Sequence, residues 1–157
     1  KTEGHLDQSI FARDILNEKN GPPPEINLFN EKNNGLTISK LIKDNLIESC
    51  HDISLGGILI AASKMCIKSN KGIKINNLKN LINKFEYFFS EDQGRYLIEI
   101  NKGNFKKVEK IFIDNSVHFD ELGIVNNDKF LFSDEINLSI EDIIKAYKNW
   151  LKEYMVN

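Results

Sequence analysis

The chain is poor in the residues that would give it a simple classification. It has two cysteines in 157 residues, Cys50 and Cys66. They fit neither a zinc spacing nor a disulfide framework, so a reducing, cytoplasmic setting is expected. No apolar run approaches the roughly 20 residues that span a bilayer, so no membrane role is expected. The start, Lys1-Thr2-Glu3-Gly4-His5, is polar and lacks the pattern of a signal peptide. It is not a methionine start either, as expected for a segment of a longer protein. Charge of one sign is not in excess: 21 Lys and Arg face 23 Asp and Glu, for a net charge of -2. A general electrostatic grip on nucleic acid or anionic lipid is therefore not expected. Only three prolines occur, all consecutive, and there is one tryptophan. There is no internal repeat and no low-complexity tract.

What is present is a pattern of short elements. Leu6, Ile10, Phe11, Ile15 and Leu16 are loosely helical in spacing. "NGPPPEINLFNE" (20–31) then forbids helix at its prolines and reads as an extended linker. These features put residues 1–36 with a preceding domain and its Pro-rich linker, and 37–157 in one domain. Within it, Ile38, Leu41, Ile42, Leu46 and Ile47 predict a helix over about 37–46, with Thr37 as cap. "IESCHDIS" reads as a short strand and "GGILIAASKMCIKS" as a largely buried helix. "KGIKIN" (71–76) reads as turn and strand, and "NLKNLINKF" (77–85) as a weak helix. "YFFSEDQGRYLIEI" (87–100) reads as strand, turn, strand. "NFKKVEKIFIDN" (104–115) has helical spacing with Asn104 as cap. "HFDELGIVN" (118–126) and "KFLFSD" (129–134) read as strands around an Asn126-Asn127-Asp128 turn. A last helix over 139–155 opens on Ser139 with Asp142 behind it, close to a capping box. Ile140, Ile143, Ile144, Tyr147, Trp150 and Leu151 line one face of it. The alternation predicts an α+β fold with a mixed sheet covered by helices.

Two clusters can carry chemistry. The first is "SCHDISLGGILIAASKM" (49–65). His51 beside Asp52 suggests a base with an orienting carboxylate, but neighbours on a strand point to opposite faces, so the dyad is geometrically poor. Cys50, His51 and Asp52 are consecutive, which does not suit a metal site. Ser54, Gly56 and Gly57 lead into a helix, where free amide N–H groups attract anions and glycine allows close approach. A phosphate cradle and an ordinary capped helix start both fit that pattern. The second cluster, "FSEDQGR" (89–95), places Glu91, Asp92, Gln93 and Arg95 between apolar segments. A tight polar turn at Gly94 or a contact with a polar ligand explains it equally.

Taken together and in order, "GHLDQSIFARDI", "GPPPEINL", "SCHDISLGGILIAASKM" and "FSEDQGRYLIEI" resemble one family over nearly the whole chain. It is the synthetase (large) subunit of phosphoribosylformylglycinamidine synthase, within the superfamily related to aminoimidazole ribotide synthase, and the likeness is to its C-terminal domain. Relatives such as aminoimidazole ribotide synthase and selenophosphate synthetase carry the same kind of domain and remain alternatives. The resemblance implies a three-layer α/β/α fold with a mixed sheet, partly ferredoxin-like. It implies an ATP- and magnesium-dependent ligase of purine biosynthesis that activates the formamide oxygen of formylglycinamide ribonucleotide, so that ammonia from a glutaminase subunit displaces phosphate. It places the magnesium carboxylates, the ATP cradle and the principal catalytic His in upstream domains. This segment then carries no catalytic residue and no metal ligand, is inactive alone, and shapes the cleft and domain interface; a purely binding or assembly module is the alternative. The candidate ligand- or phosphate-binding residues are His51, Asp52, Ser54, Gly56, Gly57, Glu91, Gln93 and Arg95. Internal duplication in the family makes Glu91 and Gln93 pseudo-equivalents of substrate-binding residues in an earlier copy. Two departures stand out: Leu55 replaces the carboxylate of Ser-Asp-Gly-Gly, and Asp7 replaces the glycine of His-Leu-Gly-x-Ser. Removed from its upstream domains, the segment is expected to expose apolar surface and self-associate.

Overall fold

A computed structural model describes residues 1–76, 83–132 and 135–156. Two compact units partition the chain: Lys1–Ala61 with Leu81–Asp120, and Ala62–Asn80 with Glu121–Asn157. Among the described residues, no helix is long and apolar enough to cross a membrane.

The first unit is organised by helices laid against a two-stranded ribbon. After the prolines, helix α1 (Leu28–Lys43) begins where Asn27 accepts the Asn30 N–H at 3.0 Å, an N-cap. Strand β1 (Ser49–Ile53) follows, then helix α2 (Gly57–Ser69), whose first turn belongs to this unit. Helix α3 (Lys84–Phe89) leads through a tight turn into β3 (Arg95–Glu99), which pairs antiparallel with β1 from Ser49 opposite Glu99 to Ile53 opposite Arg95; the intervening β2 (Gly72–Ile75) belongs to the second unit. Helix α4 (Phe105–Asp114) completes it. Ile38 and Leu41 from α1, Leu46, and Val108 and Phe112 from α4 form one buried cluster. Tyr96, Ile98 and Ile100 pack against it, the alternate positions that a strand turns to one face.

The second unit contains the mixed sheet. Strand β2 (Gly72–Ile75) lies between β4 (Gly123–Asn126) and β5 (Lys129–Phe132), antiparallel to the first and parallel to the second. Strand β6 (Ile136–Ser139) pairs antiparallel with the outer side of β5, and helix α5 (Ile140–Val156) starts directly from it. Ser139 accepts the Asp142 N–H at 3.1 Å and donates its hydroxyl to the Asp142 carboxylate at 2.7 Å, so the predicted cap forms. Ile75 and Phe132 are opposite in register and buried, together with Phe130 and Ile140.

The α+β class with a mixed sheet is as expected, and several local expectations are corrected. Helix α1 begins nine residues before Thr37, which is buried within it. Its early residues Leu28, Phe29 and Leu36 are exposed, so no apolar stripe marks that stretch in the sequence. Residues 87–89, read as strand, are helical and belong to α3. Asn83 caps this helix by accepting the Phe85 N–H at 2.8 Å, and burial of Tyr87 and Phe88 outweighs the β preference of aromatics. Asn104 stands before α4 without capping it; its amide donates instead to the Leu46 carbonyl at 3.4 Å. The strands around Asn126–Asp128 are not partners, because β2 lies between them. Asn126 Oδ1 accepts the N–H groups of Asp128 and Lys129, at 3.2 and 3.0 Å, and this turn crosses Gly72. A Cβ at Gly72 would collide with the Lys129 carbonyl and Asn126 Oδ1. Strand β6 had no counterpart in the sequence reading. The helix expected over 77–85 falls mostly outside the described residues.

Leu41 has no solvent exposure, so Leu41→Ala is expected to destabilise the first unit by about 2–5 kcal/mol, and Phe29→Ala by less than about 0.5, in urea unfolding followed by circular dichroism. Burial, and then the negative charge of Asp120, push the Tyr87 hydroxyl up to about 12. Between the ordinary value of about 10 and that value the folded state holds a proton that the unfolded state has lost. Stability therefore falls as pH rises from about 10 to about 12. The difference between wild type and Tyr87→Phe, measured across that range, should isolate this loss.

Candidate functional site

The two sequence clusters meet within the first unit. Strand β1 delivers the chain to a turn at Ser54–Gly57, and α3 delivers it to a second turn at 90–95. At the first turn, Gly56 and Gly57 both have positive φ, 81° and 70°. Gly57 also lies against α3: a Cβ there would strike the Phe88 carbonyl and sit 2.8 Å from Phe89 Cα. Glycine is required at this position both for its backbone angle and for the close approach. The turn closes through the Gly57 N–H donating to the Ser54 carbonyl at 2.9 Å, so Ser54 serves through its backbone.

The second turn supplies two carboxylates. Asp92 is buried, and both of its oxygens accept backbone N–H groups: Oδ2 from Glu3 at 3.0 Å and Gly4 at 3.1 Å, Oδ1 from His5 at 3.1 Å. Glu91 Oε1 accepts the N–H of Ile10 at 2.9 Å and of Gly56 at 2.8 Å. Its own N–H donates to the His5 carbonyl at 3.3 Å. Arg95 is buried behind them. It donates to the Ser90 carbonyl at 2.7 Å, the Asp92 carbonyl at 3.2 Å and the Thr2 hydroxyl at 3.1 Å, with the Asp92 carboxylate 3.8 Å away. Burial lowers the Arg95 pKa from its ordinary value, and the Asp92 charge opposes that shift. The guanidinium remains the cation of the cluster. Ser90 is fully buried, and its hydroxyl is the one buried side-chain polar atom without a partner among the described residues.

The predicted residues thus separate. Gly56, Gly57, Glu91 and Arg95 come together in one network, with Ser54 at its edge. Gln93 is exposed beside it. His51 and Asp52 form no catalytic pair: the His51 Nδ1 lies 2.5 Å from the Asp52 carbonyl and 3.6 Å from its carboxylate, which points into solvent. Burial first, and then the Asp52 charge, raise the Cys50 thiol, the reverse of what a nucleophile needs. Leu55 is exposed. Asp92, the most heavily bonded carboxylate, was not among the predicted site residues. Its partners are backbone amides 87 to 89 positions away, which leave no signal in side-chain identity. Both oxygens of Asp92, Glu91 Oε1 and the Gly56 amide are engaged by the chain itself. Among the described residues no group of three or more His, Cys, Asp and Glu is placed to hold a metal.

Residues 6–133 match the family described as "AIR synthase related protein, C-terminal domain". The chain belongs to this family. It is 64% identical over all 157 residues to the phosphoribosylformylglycinamidine synthase subunit PurL of Pelagibacter ubique, covering 22% of that protein. It is 40% identical over 153 residues, 98% of the chain, to the subunit of the same name from Bartonella bacilliformis, covering 21% of it. The chain therefore spans about a fifth of the length of these relatives. In fold it is similar to T. maritima PurL complexed with FGAR, with a TM-score of 0.69 at 18% identity over 85% of this chain and 24% of that one. It is likewise similar to T. maritima PurL complexed with ATP, with a TM-score of 0.60 at 17% identity over 72% of this chain and 21% of the other. The motif residues of this family member are here internal fastenings as much as surface.

Asp92→Asn exchanges a doubly accepting carboxylate for an amide with a single acceptor oxygen. The amide protons of Glu3, Gly4 and His5 are expected to exchange about tenfold faster or more in this variant, while those of Val108 and Phe112 keep their rates. Hydrogen exchange read by NMR checks both.

Proposed function

We propose that this chain is the C-terminal domain of an ATP-dependent formylglycinamidine ribonucleotide synthase of de novo purine biosynthesis, and that it shapes the cleft and domain interface without catalysing the reaction alone. The observation that carries this reading is the 64% identity, across every residue, to a protein named as that enzyme's subunit. Residues 1–36 are then the lead-in from a preceding domain and 37–157 the C-terminal domain. The clamp that Glu91 and Asp92 place on residues 3–10 ties the lead-in to the domain.

The enzyme's chemistry is phosphoryl transfer to a formamide oxygen followed by displacement by ammonia, which depends on positioning and neutralising phosphate charge. ATP and magnesium are assigned to the portion of the enzyme outside this chain, as the family resemblance implies; here Asp92 and one oxygen of Glu91 hold backbone amides. The existence of T. maritima PurL structures with ATP and with ADP supports nucleotide use by that protein. Ammonia comes from a glutaminase subunit, and the substrate is formylglycinamide ribonucleotide; a cytoplasmic location follows from that pathway. Within this chain, we assign any contact with ligand in the full enzyme to His51, Asp52, Ser54 and Gln93, whose side chains take no part in the Glu91–Asp92–Arg95 network. Gly56, Gly57, Glu91 and Arg95 act through the frame that holds them.

A full-length subunit containing this domain should form the amidine from formylglycinamide ribonucleotide, ATP, magnesium and ammonium. The 157-residue chain alone should not. It should also give no heat with millimolar ADP-magnesium or ribonucleotide in calorimetry. Turnover or saturable heat from the isolated chain would overturn the assignment of chemistry to the rest of the enzyme.

A further inference from the structure

Helix α5 opens in the core of the second unit and ends out of it. Ile140, at its start, is buried, and Ile143 and Ile144 are half-buried. The same stripe continues through Tyr147, Trp150, Leu151, Tyr154 and Met155, spaced three and four apart, and there every member is 50–76% exposed. The Trp150 and Tyr154 rings lie 6.4 Å apart, so the patch is continuous. A run of large apolar side chains on one face, two of them tyrosine and one tryptophan, is the composition of an interface core rather than of ordinary surface.

The comparisons bear on what covers it. The match to the shared C-terminal domain ends at residue 133, before α5 begins. The similarity to the P. ubique subunit runs through all 157 residues. The helix thus lies outside the common domain but inside what this chain shares with that subunit, about four-fifths of which lies beyond the matched segment. The size of the patch also discriminates. From Tyr147 to Val156 the stripe is about 15 Å long. One helical face of that length is short of the roughly 800 Å² per partner that a stable association between separate molecules needs. A surface on the same polypeptide has no such requirement, because tethering sets its effective concentration in the millimolar range.

We propose that the exposed face of α5 docks on an apolar surface in the portion of the full-length subunit that precedes this domain. The proposal rests on the reading that the chain is a domain of that larger enzyme. Hydroxyl-radical footprinting of Trp150, Tyr154 and Met155 tests it, in the full-length subunit and in the 157-residue chain, both at low protein concentration. Oxidation of all three should be several-fold slower in the full-length subunit. Leu151→Asp in the full-length subunit should restore fast oxidation at Tyr154 and Met155. Equal rates in the two wild-type proteins would overturn the inference. So would protection that appears only as protein concentration is raised, which marks a second copy as the occupant, or only on adding the glutaminase subunit. Amidine synthesis is measured on the same full-length preparation. An active enzyme with an unprotected α5 defeats this inference alone, and a protected α5 in a protein without that activity defeats the functional reading alone.

Discussion

A carboxylate removed from water needs donors, and a loop backbone removed from water needs acceptors. At the turn between α3 and β3 each requirement meets the other. Glu91 and Asp92 together accept five backbone N–H groups, from Glu3, Gly4, His5, Ile10 and Gly56. The segment they hold carries no helix or strand ladder over its first nine residues, so these bonds are the main fastening of its amides. Arg95 supplies a positive charge 3.8 Å from the Asp92 carboxylate, and it binds the carbonyls of the turn and the hydroxyl of Thr2 as well. Removing one member would leave the others buried and unpaired, which is why such networks are costly to break.

That network also decides how the glycine-rich turn is used. An amide at a helix start is a ready seat for an anion, and the Ser-x-Gly-Gly pattern invites that reading. Here the Gly56 amide holds a carboxylate of the same chain. The positive φ values of Gly56 and Gly57, and the close packing of Gly57 on α3, belong to the same arrangement. At the Gly56 amide the acceptor is internal. This use of the acidic motif fixes the path of residues 3–10.

How much could be read from the sequence varied with how local the signal was. Helix α4 has its buried residues Val108 and Phe112 at helical spacing, and Ser139 and Asp142 announce the start of α5. Both are visible without a fold. The start of α1 is not, because its cap is an asparagine in a polar stretch and its first apolar residues are exposed. The second half of α3 reads as a strand because it is rich in aromatics; the burial of Tyr87 and Phe88 favours the helix there. The insertion of β2 between β4 and β5 has no local signature beyond Gly72, which leaves room for the crossing turn. At the site, both motifs and the family they resemble were legible, and so was the poor geometry of His51 with Asp52.

The sequence by itself determined the family, the α+β class, the mixed sheet and the residue types at both turns, since these depend on patterns of side chains along the chain. Only the tertiary structure decided what those residues do. Asp92 became the hub and Gln93 stayed at the surface because their roles depend on where distant backbone amides lie. A backbone N–H is the same in every residue but proline, and so its position cannot be read from residue identity. Likewise the stripe on α5 could be seen in the sequence, but that its outer half is left exposed among the described residues is a fact of three-dimensional packing.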